Sequence, residues 1–103
     1  MATRHTLCKK GELKPGQGKQ VEVNGAVIAI FNVDGKFYAI RGECTHQGGP
    51  LGEGELNGTT VTCPWHGGEF DVTTGEVVGP PPSMPEETYK VVVEGDEVKV
   101  EIP

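Results

Sequence analysis

The run VEVNGAVIAIFNVDGKFYAI, Val21 to Ile40, decides the architecture. Its apolar stretches are short, rich in β-branched and aromatic residues, and broken by Asn24-Gly25 and Asp34-Gly35. An Asn-Gly or Asp-Gly pair suits a two-residue type I′ turn, whose central residues both need positive φ. The spacing therefore predicts three antiparallel strands in succession. Near the end of the chain, YKVVV, Glu94-Gly95-Asp96 and EVKVEI predict a further hairpin, with Val91, Val93, Val98, Val100 and Ile102 lining one buried face. No window sustains a helical period over three turns, so the fold class is all-β.

Between these scaffold halves, from about Gly42 to Met84, the composition turns to Gly, Pro, Cys and His. ELNGTTVTC reads as a turn at Asn57-Gly58 leading into a strand. EFDVTTGEVV reads as two strands about a turn at Thr74-Gly75. GPPPSMP is too rich in proline for a helix or a central strand. It is either a stiff return to the scaffold or a third loop leaning on the neighbouring site. The 103 residues make one domain, 1–103, with a subdomain at about 42–84.

That subdomain carries two Cys-His pairs. CTHQGG places Cys44 and His46 one residue apart, and CPWHGGEFD places Cys63 and His66 two apart. Sixteen residues, Gln47 to Thr62, separate the pairs, and two glycines follow each histidine. Thiolate and imidazole both bind transition metals, and glycine lets backbone fold tightly around them. Two Cys and two His can hold one structural zinc. Zinc modules usually segregate their ligands as Cys-Cys and His-His, however, whereas here each loop gives one of each. That alternation suits a [2Fe-2S] cluster with two different ends.

A net charge of -6 argues against a nucleic-acid partner, which requires clustered Lys and Arg. No stretch reaches the roughly 18 apolar residues of a membrane span, and MATRHTLCKKGELKPG lacks the apolar core of a secretory signal. The expected location is the cytoplasm. With Cys44 and Cys63 assigned to metal, Cys8 has no partner, which fits a reducing compartment. It reads as a small buried hydrophobe. Ser83, the only serine, has no evident base beside it, and no nucleotide-binding pattern occurs, so no catalytic residue is expected.

CTHQGGPL and CPWHGGEFD, in that order and spacing, resemble the Rieske iron-sulfur family, and the likeness extends over nearly the whole chain. The resemblance implies that Cys44 and Cys63 bind an inner iron and His46 and His66 an outer one. Gly48, Gly49, Gly67 and Gly68 would then let backbone N–H groups approach the sulfurs. Respiratory and photosynthetic members carry a disulfide between the loops. Gly49 and Trp65 stand at those places here, so the chain looks like the soluble Rieske-type ferredoxins of bacterial ring-hydroxylating oxygenases, with Trp65 covering the cluster in place of the disulfide. High-potential members also have a serine and a tyrosine that donate to the cluster and to a cysteine sulfur, where Gly68 and Phe70 stand here.

The implied function is one-electron transfer from a flavin-dependent reductase using NADH or NADPH to a terminal oxygenase, by a monomer in transient complexes. Gln47 and Pro80, Pro81 and Pro82 would rim the docking face. The alternatives are a Rieske small subunit of a larger oxidoreductase such as a nitrite reductase, and a zinc-stabilised interaction module.

Overall fold

A computed structural model describes residues 3–23, 25–43, 49–65, 67–79 and 85–102. Apart from two single 3-10 turns, at Lys10–Glu12 and Leu51–Glu53, its regular elements are strands. Six belong to a scaffold sheet: β1 Thr3–Lys9, β2 Gly18–Val23, β3 Ala26–Val33, β4 Lys36–Arg41, β9 Thr88–Glu94 and β10 Glu97–Ile102. The order is β1-β10-β9-β4-β3-β2, and every pairing is antiparallel. The turns act as their dipeptides require. Asp34 and Gly35 take φ of 51° and 89°, and Gly25 takes 82°; Asn24 lies outside the described residues.

The remaining strands, β5 Glu55–Asn57, β6 Thr60–Thr62, β7 Glu69–Asp71 and β8 Val77–Gly79, form a smaller antiparallel sheet in that sequential order. It is inserted between β4 and β9, which pair directly through Ala39↔Tyr89 and Ile40↔Thr88. The scaffold therefore closes behind the insertion, and the small sheet must pack on its face.

Strand β3 joins the two parts. Its side chains alternate between faces, and both faces are buried. Ile28 and Ile30 point into one core with Leu7, Cys8, Phe37, Ala39, Val98 and Val100. Ala29 and Phe31 point into a second core with Ile40, Leu51, Val61, Cys63, Phe70 and Val72. The second core is the contact between scaffold and inserted sheet, and one of its members is a cysteine of the sequence motif. Leu7 and Cys8 are adjacent yet share the first core, because a register shift between Thr6 and Cys8 breaks the alternation of β1.

Three local expectations are corrected. Val93 pairs with Val98 but is 42% exposed, since it stands one pair from the Gly95-Asp96 turn, at the tip of the hairpin. The turn after β5 is centred on Gly58-Thr59, with Asn57 paired to Thr60, and glycine there supplies the positive φ of 63°. Likewise Gly95-Asp96 alone turns the last hairpin, since Glu94 still pairs with Glu97.

Candidate metal centre

Cys63 follows β6 directly and is only 3% exposed, its side chain in the core shared by scaffold and insertion. The chain beyond it is pinched into a closed loop. Gly67 N–H donates to the Cys63 carbonyl at 3.0 Å, and Cys63 N–H donates to the Gly68 carbonyl at 2.7 Å. Gly67 takes φ of 73°, a conformation costly for any residue with a Cβ. Phe70, fully buried and paired with Val61, anchors the far side of this loop. The thiol is thus held by a buried floor and by backbone hydrogen bonds, and it is not in a disulfide.

The other loop meets it at Gly49. A Cβ on Gly49 would stand 2.5 Å from Cys63 Sγ and 3.2–3.3 Å from Cγ and Cδ2 of Trp65. Gly49 is therefore sandwiched between the thiol and the indole, and only glycine fits. Trp65 is 58% exposed, so its ring leans on Gly49 from outside while much of it remains open to solvent. The stems of the same loop are held together by the bridge Glu43↔Pro50 and by the Leu51 N–H donating to the Gly42 carbonyl at 2.9 Å. The 3-10 turn at Leu51–Glu53 then seats Leu51 in the shared core.

Of the residues singled out in the sequence, Cys63, Gly49, Trp65, Gly67 and Gly68 are brought to this one place. Cys44, His46, Gln47, Gly48, His66, Pro80, Pro81 and Pro82 lie outside the described residues. Among the described residues no group of three or more His, Cys, Asp or Glu could hold a metal, and three of the four expected ligands are not among them. What is described fits an iron-sulfur centre. A buried, unpaired thiol is a soft ligand, and the missing Cβ of Gly49 clears the space beside its sulfur.

Cys8, the third cysteine, is 4% exposed in the other core. Burial pushes its thiol up from the ordinary value, with nearby Lys19 pulling the other way. That is the environment of an inert structural cysteine. Sequence reasoning overlooked Gln20 and Glu86. Gln20 sits at a position of β2 that alternation assigns to the polar face, and Glu86, only 4% exposed, follows the proline run.

Residues 3–97 match the family model described as the Rieske [2Fe-2S] domain. The chain is 43% identical over 95 residues to the biphenyl dioxygenase ferredoxin subunit of Pseudomonas sp. strain KKS102, covering 91% of this chain and 87% of that protein. A solved complex of reduced oxygenase and oxidized ferredoxin in carbazole 1,9a-dioxygenase contains a chain with a TM-score of 0.90 and 36% identity, covering 94% of this chain and 91% of its own. A protein of Mycobacterium tuberculosis assigned as the small subunit of an NADH-dependent nitrite reductase has a TM-score of 0.89, covering 100% of this chain and 97% of its own. Its 22% identity shows a shared fold alone. The chain belongs to the Rieske [2Fe-2S] domain family. It carries one Rieske-type [2Fe-2S] cluster and works as an electron-transferring ferredoxin, not as a catalyst. No helix among the described residues is long and apolar enough to cross a membrane.

Proposed function

We propose that this ferredoxin takes single electrons from a flavin reductase that oxidises NADH or NADPH and delivers them to a terminal ring-hydroxylating oxygenase. The observation that carries the reading is the solved complex in which a ferredoxin 36% identical to this chain is bound with its oxygenase. In this reading Cys44, Cys63, His46 and His66 hold the cluster within a subdomain spanning about residues 42–84. The cluster supplies a one-electron couple whose imidazole ligands raise its potential above that of all-cysteine clusters.

The protein's own residues do the rest. The buried floor beneath Cys63 holds that sulfur in one place, and Gly49 gives it room. Trp65 and Gly67 stand exposed on the loop that bears His66. Gln47 and Pro80–Pro82 complete a weakly charged docking rim, suited to a complex of small buried area. The charge of -6 acts mainly on association rate and salt dependence. A monomer in the cytoplasm fits these demands, with the unpaired thiol of Cys8 kept reduced there.

The test is reconstitution of the purified protein with a flavin reductase, NADH and a ring-hydroxylating oxygenase. Product should form only when all components are present, and bulky substitutions at Gln47 or Pro81 should slow transfer with the cluster spectrum intact. Stable co-purification with a large nitrite reductase subunit, with no transfer to any oxygenase, would overturn the assignment.

A further inference from the structure

Gln20 lies on the edge strand of the scaffold, paired through Gln20↔Ala29 on the face turned towards the inserted subdomain. Its side-chain amide makes two hydrogen bonds of opposite polarity. Nε2 donates to the Gly42 carbonyl at 2.6 Å, and Oε1 accepts from the Gly52 N–H at 2.7 Å. Gly42 and Gly52 are the two stems of the segment that contains Cys44 and His46. The fit is close on both sides. A Cβ on Gly42 would stand 2.7 Å from Gln20 Nε2, and one on Gly52 would collide with Oε1 and come within 2.6 Å of the Gln20 backbone nitrogen. Two glycines thus leave a slot filled by one carboxamide. A carboxamide offers a donor to one stem and an acceptor to the other from a single planar group.

We propose that Gln20 is a positioning residue of the electron-transfer centre: its amide clasps both stems of residues 43–50 and fixes the ends of the segment carrying Cys44 and His46 against the scaffold. This rests on the ligand assignment above. The Leu51 N–H bond to the Gly42 carbonyl ties the stems to each other, and Gln20 ties the pair to β2. Without Gln20 the ends of that segment keep the Leu51–Gly42 bond, the Gly42 N–H bond to the Val27 carbonyl at 2.8 Å and the burial of Leu51 in the core that holds Cys63. They lose the amide that locks Gly42 and Gly52 to β2, which gives residues 43–50 more latitude relative to Cys63. A shift of two ligands relative to a third alters the electronic structure of the centre, so the effect reaches beyond stability.

The experiment compares cluster-loaded wild type with Gln20→Leu, which removes donor and acceptor, and Gln20→Glu, which keeps the acceptor for Gly52 and places a second acceptor against the Gly42 carbonyl. Val23→Ala, on the same strand and packed against the other core, serves as a control for loss of stability. The readouts are the electron paramagnetic resonance spectrum, the reduction potential and the rate of iron loss to a chelator. Gln20→Leu should broaden or shift the resonances and release iron at least about tenfold faster than Val23→Ala, and Gln20→Glu should fall between Gln20→Leu and wild type. Should Gln20→Leu not accumulate with cluster, Gln20→Glu decides, by a spectrum and iron-loss rate that either depart from or match those of Val23→Ala. A spectrum and potential identical to wild type in the deciding variant, with iron loss no faster than in Val23→Ala, overturn the proposal. His46→Cys separates the two assignments: an unaltered spectrum there means that the ligand assignment fails, whereas an altered one beside a silent Gln20 variant means that Gln20 is not a positioning residue.

Discussion

Gly49 lies against the sulfur of Cys63, with no room for a side chain: a Cβ there would be 2.5 Å from Sγ and 3.2 Å from the Trp65 ring. Gly49→Ala must therefore displace the thiol, the indole or the loop backbone. Overpacking of this kind costs about 1–3 kcal/mol. The expected product is a folded protein with far-ultraviolet circular dichroism like wild type and much reduced iron. Gly11→Ala, where an added Cβ meets nothing within 4 Å, should load normally and serves as the control.

The two cores should fail differently. Val61 and Val98 are both fully buried valines, one beneath the metal loop and one in the scaffold. Truncation of either to alanine should cost about 2 kcal/mol of stability. Val61→Ala should also speed iron loss, because Val61 packs in the core that holds Cys63. Equal rates of iron loss in the two variants at matched stability would show that the cores act as one.

Much of this was readable in advance. The Asp34-Gly35 turn and the hairpin of β9 and β10 each carry their cause in a few consecutive residues, as a required positive φ, and the family of the chain is legible in the spacing of its two Cys-His motifs. What escaped depends on contacts distant in sequence. The pairing of Ala39 with Tyr89 spans the whole insertion, and nothing local to either residue announces it. Gln20 reads as one more polar residue of an alternating strand, and only the folded chain brings Gly42 and Gly52 to either side of its amide. Leu7 and Cys8 defeat simple alternation through a register shift that the sequence TRHTLCK does not mark.

Stability should fall at alkaline pH partly through Cys8. Burial raises its thiol pKa in the folded chain, so the neutral form is favoured there, while the unfolded thiol ionises from about pH 8.5. The stabilisation is complete below that pH and is lost as pH rises through the folded value. Denaturant midpoints measured from pH 7 to 10 should decline less steeply in Cys8→Val than in wild type. Parallel declines would remove Cys8 as a contributor.

The reduction potential should sit in the lowest third of the Rieske range of about -150 to +300 mV, below roughly 0 mV. The residue facing the shared core at position 70 is a phenylalanine, fully buried and without a donor, and residue 68 is a glycine. A donor restored at either place is worth roughly 1–2 kcal/mol on reduction, or about 40–90 mV for one electron. Phe70→Tyr and Gly68→Ser should each raise the value by that amount in protein-film voltammetry. A wild-type potential above about +150 mV would contradict the ferredoxin assignment.

Pulsed electron paramagnetic resonance of the reduced protein tests most directly whether two histidines and two cysteines hold the cluster. The chain has three histidines, His5, His46 and His66. With histidine nitrogen labelled, the spectrum should show hyperfine coupling from two of the three imidazoles, unchanged in His5→Ala and lost or altered in His46→Ala and in His66→Ala. A reduced cluster with no coupled histidine nitrogen, or with coupling that survives intact in both the His46 and His66 variants, would mean that these histidines are not its ligands.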